Sequence, residues 1–143
     1  MTSAAEKAKN PDLARHCEAV AAADRVLHQA KAGVRRRVGE AGLDAVQHAA
    51  HGFAWLATTV EALRQMTGWA QRLSEMGGFG EVERSILDIA FAEYLAQIAG
   101  GIPMSQSEVV RLGGKHLDAE GYDLLARDGR RWLNEEASMM LNK

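Results

Sequence analysis

The sequence predicts an all-α fold: an up-down antiparallel helical bundle of three long helices, followed by a short helix and a C-terminal helix. Three observations predict it. Apolar residues recur at steps of three and four along residues 43–73, which is the spacing of one helix face. Glycine clusters stand between the apolar runs, as punctuation. Proline occurs twice in 143 residues and aromatic residues make up 6%, a composition that favours helices over a β-sandwich.

The first helix is predicted to begin at Asn10 and Pro11 and to run to about Val38. Asparagine is a favoured N-cap, and proline is favoured at the first helical position. Residues 1–9 are small and polar, so we expect a disordered tail there. The predicted inner face of the helix consists of Leu13, Cys17, Val20, Leu27, Ala30, Val34 and Val38.

Three consecutive cations, Arg35, Arg36 and Arg37, fall in the predicted last turn of this helix. Cations in a last turn complement the partial negative charge of the free carbonyl groups. The alternative is an anion-binding patch that holds a phosphate or the acidic surface of a partner. Both interpretations stay open at the level of sequence.

The second helix, residues 43–73, is the one around which we expect the others to pack. At 1.5 Å per residue it would be about 45 Å long, and its apolar face needs other helices to cover it. Trp55 and Trp69 lie four turns apart beside that face. They belong either to the ordinary core or to a second face that another chain or domain covers. The main face consists of Leu43, Val46, Ala50, Phe53, Leu56, Val60, Leu63, Met66, Ala70 and Leu73.

The third helix is predicted over residues 81–99, after a chain reversal at residues 77–80, Gly-Gly-Phe-Gly. Gly100 and Gly101 supply a C-terminal stop, and Pro103 blocks continuation. The apolar positions of this helix are Val82, Ile86, Ile89, Ala90, Tyr94, Leu95 and Ile98.

Two further helices are predicted after it. Residues 105–108, Ser-Gln-Ser-Glu, can cap a short helix that runs to about Leu112. A final helix is predicted over residues 118–141, although Gly121 and Gly129 fall inside it. Its apolar positions keep helical spacing and are Leu124, Leu125, Trp132, Leu133, Met139 and Met140.

The composition of the chain limits the functions that we expect for it. A net charge of −2 creates no field that recruits nucleic acid or an anionic membrane. Cys17 is the single cysteine, so it forms no internal disulfide and fits a reducing compartment. There is no apolar run of membrane-spanning length, and the N-terminus lacks the layout of a signal peptide. We therefore expect a cytoplasmic protein that binds neither nucleic acid nor a membrane.

Candidate catalytic chemistry is sparse. His48 and His51 lie one turn apart and would hold a metal only with a third ligand from another helix. A di-iron bundle site needs Glu-x-x-His motifs, and the chain contains none. No serine stands in a nucleophile elbow, and the glycine-rich turn is no phosphate-binding loop. The sequence therefore assigns no catalytic, cofactor-binding or metal-binding residue.

Two segments carry a resemblance to a known family. Residues 48–66 read HAAHGFAWLATTVEALRQM, and residues 89–106 read IAFAEYLAQIAGGIPMSQ. Both are similar to the helical N-terminal extension that precedes the flavoprotein core in long, (2S)-methylsuccinyl-CoA dehydrogenase-like members of the acyl-CoA dehydrogenase family. The resemblance covers about residues 10–112. Residues 113–143 are then a C-terminal or linker helix.

The resemblance implies a structural role for this chain. In that family FAD, the acyl-CoA thioester and the catalytic glutamate belong to the core, so no such site is assigned here. The resemblance implies a non-catalytic docking or oligomerisation domain of an FAD oxidoreductase, whose partner is an acyl-CoA dehydrogenase core or a second copy of the chain. The candidate contact residues are Trp55, Leu56, Thr59, Trp69, Phe91, Tyr94, Gly100, Gly101, Ile102, Pro103, Met104, Ser105 and Gln106.

The alternative function is a stand-alone helical bundle that binds an acyl chain or acyl-CoA between its helices. In that case Arg35, Arg36 and Arg37 would hold the phosphates.

Overall fold

The computed structural model describes residues 13–112 and is mostly helical over that range. The predicted tail, Asn10 and Pro11, and the predicted helix over residues 118–141 lie outside the described residues. The described elements are α1 (Ala14–Ala41), a 3₁₀ turn (Asp44–Val46), α2 (Gln47–Glu75), α3 (Glu81–Gly100), β1 (Ile102–Pro103) and β2 (Val109–Val110).

Helix α2 packs against both α1 and α3, and α1 also contacts α3. The central position that the sequence predicts for the second helix is therefore confirmed. Large side chains at this junction are fully buried, and they come mostly from two helices. They are Leu56, Val60 and Leu63 of α2, Leu87, Phe91, Leu95 and Ile98 of α3, and Val26 of α1.

Helix α1 begins at Ala14, with Leu13 as its N-cap, so the predicted start at Asn10 and Pro11 is too early. It differs from its prediction in two further ways. It continues to Ala41, and its last turn contains no basic residue, so the predicted role of Arg35, Arg36 and Arg37 at the helix end is wrong. Cys17, placed on the inner face by the pattern, is exposed. The buried residues of α1 are instead His16, Ala22, Ala23, Val26, Ala30, Gly33 and Val34. The helix is rich in alanine, so apolar periodicity alone does not choose between neighbouring faces.

The turn between α2 and α3 matches the prediction of a reversal at residues 77–80. The backbone N–H of Gly78 donates to the carbonyl oxygen of Leu73 at 2.8 Å. The backbone N–H of Gly80 donates to Oε2 of Glu83 at 2.9 Å. Because Gly80 precedes the helix and Glu83 is its third residue, this bond satisfies a backbone donor at the helix start.

The predicted short helix to Leu112 is wrong, because this segment forms an antiparallel hairpin in which Ile102 pairs with Val110. Ser105 acts as a cap, but of a turn: its Oγ accepts the backbone N–H of Glu108 at 3.1 Å. The valines that follow are β-branched and favour a strand. Burial also alternates after the turn, with Val110 and Leu112 inside, which is the period of a strand.

Candidate interaction surface

Helix α3 carries two apolar stripes on opposite faces. One is buried and consists of Leu87, Phe91, Leu95 and Ile98. The other, which we call the outer stripe, consists of Val82, Ile86 and Ile89, whose exposed fractions are 67%, 47% and 60%. At 100° per residue the centres of the two stripes are about half a turn apart. Helix α3 is therefore the helix with a second apolar face.

The sequence pattern marks the residues of the outer stripe as apolar positions of the third helix but assigns them no face. A second apolar face is one of the two alternatives that the sequence leaves open for the longest helix, and the structure shows such a face on α3. A spacing of three and four residues is satisfied by both stripes of α3, so periodicity could not separate them. The signal that could have found the buried one is size, because Leu87, Phe91 and Leu95 form an unbroken row of large side chains.

Trp55 lies on the surface of α2, with 38% of its area exposed. Its indole Nε1–H donates to Nε2 of His51 at 3.1 Å, and the two rings meet edge to face at 6.4 Å. In this arrangement the imidazole of His51 accepts at Nε2. Trp55 thus presents a large apolar ring whose polar atom is already satisfied within the chain, which suits a contact surface.

Trp69 is half-buried against the core. Its ring centroid lies 6.4 Å from that of Phe79, and the guanidinium carbon of Arg84 stands 5.6 Å from the Phe79 centroid. The ring therefore packs at the turn between α2 and α3, far along the helix from Trp55. The two tryptophans do not form one patch.

Four candidate contact residues are corrected by their burial. Leu56, Thr59, Phe91 and Ile102 are between 0% and 7% exposed, because their side chains fill the core of this chain. The Thr59 hydroxyl donates to the carbonyl oxygen of Trp55 at 2.9 Å, so its polar group is satisfied locally. A partner of the folded chain cannot reach these four residues.

The remaining candidates lie on or near the surface. Pro103, Ser105 and Gln106 are exposed in the hairpin, and Tyr94 and Met104 are half-buried. Packing within the chain explains the glycine at position 101: a Cβ atom built on Gly101 would lie 2.5 Å from Cγ1 of Val109. The close approach that this glycine allows is to the chain's own strand β2.

A polar cluster joins α1 to α2 across the surface. Arg64 pairs with Asp24 on α1 and, at 2.8 Å, with Glu61 one turn earlier on α2. The hydrogen bond from Gln65, followed by the one from Arg64, lowers the pKa of the Glu61 carboxyl. The bond to Glu61 in turn raises the pKa of the Arg64 guanidinium. These charges are engaged within the chain.

A buried polar contact joins α1 to α3. Nε2–H of His16 donates to Oδ1 of Asp88 at 2.8 Å, and the His16 ring meets Phe91 edge to face at 4.8 Å. No sequence pattern predicts this pair, because the two residues are far apart in the chain and no motif joins them. The pair therefore links α1 to α3 in the folded chain.

Residues 13–112 contain no candidate metal site. No group of three or more His, Cys, Asp or Glu side chains there is arranged to hold a metal ion. His51 accepts the indole hydrogen bond of Trp55.

Every helix within residues 13–112 is too short or too polar to span a bilayer.

Comparison with known proteins bears on the family resemblance. No protein-family model matches the chain. Over 76 residues, 53% of its length, the chain is 59% identical to (2S)-methylsuccinyl-CoA dehydrogenase of Cereibacter sphaeroides. It is related to a part of that enzyme. The aligned region is 14% of the enzyme's length, so the chain spans about a seventh of this relative.

Proposed function

We propose that this chain is a non-catalytic helical docking domain associated with an acyl-CoA dehydrogenase-type FAD oxidoreductase. The observation that carries the proposal is the 59% identity to (2S)-methylsuccinyl-CoA dehydrogenase over 76 residues that make up 14% of that enzyme. A segment so small leaves most of a flavoprotein outside the matched region. We assign FAD, the acyl-CoA thioester and the catalytic base to that remainder and a contact role to this chain.

The contact surface is proposed to lie at one end of the up-down bundle. In such a bundle adjacent helices run antiparallel, and the pairing of Asp24 with Arg64 supports this for α1 and α2. Trp69 meets Phe79 near the turn into α3, so Trp55 lies towards the other end, at the level where α3 passes into the hairpin. The exposed Trp55 and the hairpin residues 103–106 then share that end.

The composition of this surface supports a protein contact. An exposed aromatic ring beside a rigid turn supplies a large contact area at a low entropic cost. The hairpin is held by its own hydrogen bonds, among them Met104 N–H to the carbonyl oxygen of Glu108 at 2.9 Å. A partner would therefore meet a preformed surface.

The test is association with a flavoprotein core. The purified chain is mixed with (2S)-methylsuccinyl-CoA dehydrogenase lacking the matched segment, and binding is measured by sedimentation velocity. We expect a complex, and we expect Trp55→Ala to weaken it about tenfold or more because it removes an exposed aromatic anchor. Met76→Ala is the matched control, since Met76 is 73% exposed but lies at the other end of α2.

Folding is measured in parallel by circular dichroism. Trp55→Ala should lose far less stability than Leu63→Ala, whose side chain is fully buried. Equal losses in the two variants would count against a contact role for Trp55. If the chain self-associates but does not bind the core, its role would be oligomerisation rather than docking.

A further inference from the structure

Helix α1 carries a group of cations on its outer side. Arg25, Lys31 and Arg35 are all exposed, and at 100° per residue they lie within about a third of the helix circumference. Arg36, which follows them, is exposed as well. From residue 25 to residue 39 the helix contains no Asp or Glu. We call Arg25, Lys31, Arg35 and Arg36 the basic face.

The neighbouring part of the chain supplies few carboxylates to this face. Residues 47–60, the N-terminal half of α2, contain neither Asp nor Glu. Asp24, one residue before the basic face, is engaged by Arg64. Of the ion pairs that the structure shows within residues 13–112, none includes Arg25, Lys31 or Arg35. These three cations therefore point to a source of negative charge outside that part of the chain.

The stability of α1 does not explain the basic face. Lys31 and Arg35 lie one turn apart, and like charges at that spacing destabilise a helix by about 0.2–0.5 kcal/mol. The helix dipole acts on charges within the last turn, and the last turn of α1, which ends at Ala41, contains no basic residue. Gly39 adds a further cost of up to about 1 kcal/mol relative to alanine, although a Cβ there would meet no atom within 4 Å.

The shape and surroundings of the basic face favour an acidic protein surface over other anions. A small phosphate ligand needs donors that converge in a concave site, whereas this face follows the outside of a helix for about 15 Å. A membrane-binding helix needs large apolar side chains beside its cations, and the large apolar residues that are exposed within residues 13–112 all lie outside α1. Nucleic acid is disfavoured by the net charge of −2.

The basic face reaches the end of the bundle that carries the proposed contact surface. Asp24 pairs with Arg64 across the two helices. Arg35 follows Asp24 by eleven residues, so in an antiparallel pair it lies about level with residue 53, which precedes Arg64 by eleven. Trp55 is only two residues from that level. The exposed Gly39 lies beyond Arg35 towards the same end, and its missing side chain allows the backbone of a partner to approach closely.

We propose that the partner of this chain presents an acidic surface to the basic face of α1. The inference rests on the proposed function, because it names the chemistry of the surface that the docking domain meets. Carboxylates of the partner pair with Arg25, Lys31 and Arg35, while Trp55 supplies the apolar contact. Such charge pairs mainly raise the association rate and select the partner.

The test measures how fast the chain binds (2S)-methylsuccinyl-CoA dehydrogenase lacking the matched segment, by surface plasmon resonance. Raising the NaCl concentration from about 20 mM to about 300 mM should lower the association rate constant about tenfold or more. At low salt the double variant Lys31→Gln/Arg35→Gln should associate about fivefold more slowly or less rapidly still. Arg72→Gln/Arg84→Gln is the matched control, since it removes two exposed helical cations at the other end of α2 and α3.

Thermal unfolding separates a contact role from a structural one. Lys31→Gln/Arg35→Gln should leave the midpoint unchanged or raise it, because the variant relieves repulsion between like charges. A lowered midpoint would show that the two cations stabilise the chain and would overturn the inference.

The binding data separate this inference from the proposed function. A complex that Trp55→Ala weakens, but that neither salt nor Lys31→Gln/Arg35→Gln affects, would overturn the inference and leave docking in place. Equal slowing by Arg72→Gln/Arg84→Gln would overturn it as well, because the effect would then belong to net charge. The absence of any complex would overturn both proposals. Salt-sensitive self-association without core binding would assign the basic face to a second copy and overturn the inference.

Discussion

At the scale of single residues, Gly101 shows why a glycine stands where α3 passes into the hairpin. Its φ is +136°, in a region that residues with a side chain rarely adopt. A Cβ there would also meet Cγ1 of Val109 at 2.5 Å. Both the backbone conformation and the contact therefore require glycine.

We expect Gly101→Ala to destabilise the protein by more than about 1 kcal/mol, because alanine is strained at positive φ. Gly100→Ala is the matched control: a Cβ at Gly100 has no atom within 4 Å, and alanine favours a helix by up to about 1 kcal/mol. Urea unfolding of both variants measures the difference. Equal midpoints would contradict the close approach of β2 to Gly101.

Glu61 gives a pH-dependent prediction. Its pKa is lowered from the ordinary value of 4.5, first by the hydrogen bond from Gln65 and then by Arg64. A lowered pKa in the folded state means that the ionised carboxylate adds stability above pH 4.5, which is lost as the pH falls through the folded pKa. The carboxylate is exposed, so the contribution is small.

Carbon-detected nuclear magnetic resonance measures this pKa directly. Gln65→Ala should move the Glu61 pKa up towards 4.5, because the variant removes the largest cause of the shift. Gln97→Ala is the control, since it removes an equivalent bond to Glu93 at 2.8 Å and should leave Glu61 unchanged. An unchanged Glu61 pKa in the Gln65→Ala variant would show that the hydrogen bond is not formed in solution.

At the scale of elements, periodicity found the helices better than their faces. The predicted third helix, residues 81–99, differs by one residue from α3, and the central region of α2 was found in the same way. The faces were harder, because alanine-rich α1 and doubly striped α3 each offer more than one apolar row. Which row is buried depends on the neighbouring helix, and a sequence pattern within one helix does not contain that information.

Leu63 and Leu43 test the face of α2 with the same chemical change. Both were predicted on its inner face, but Leu63 is fully buried and Leu43 is 56% exposed in the segment before the 3₁₀ turn. We expect Leu63→Ala to cost about 2–5 kcal/mol in the free energy of unfolding and Leu43→Ala at most about 0.5 kcal/mol. Thermal or urea unfolding measures both, and similar losses would contradict the described burial.

At the scale of the whole molecule, the docking role predicts that the chain alone does not bind acyl-CoA. The junction between α2 and α3 is filled by its own side chains, Leu56, Val60 and Phe91 among them, so an acyl chain would have to displace them. Isothermal titration calorimetry with a long-chain acyl-CoA should give no heat beyond dilution. Saturable heat that Arg36→Ala abolishes would instead favour the ligand-binding alternative.

The sequence by itself determined that the chain is mostly helical, where its long helices lie and that it is similar to an acyl-CoA dehydrogenase-type enzyme. The spacing of apolar residues, the glycines at helix ends and the similarity of two long segments to a known family are local properties. A sequence contains them directly. The tertiary structure alone decided which stripe of α3 faces the core, that His16 meets Asp88 and that Ser105 closes a hairpin. These outcomes depend on which distant residues come into contact, and burial assigns a role to a side chain only once its neighbours are in place.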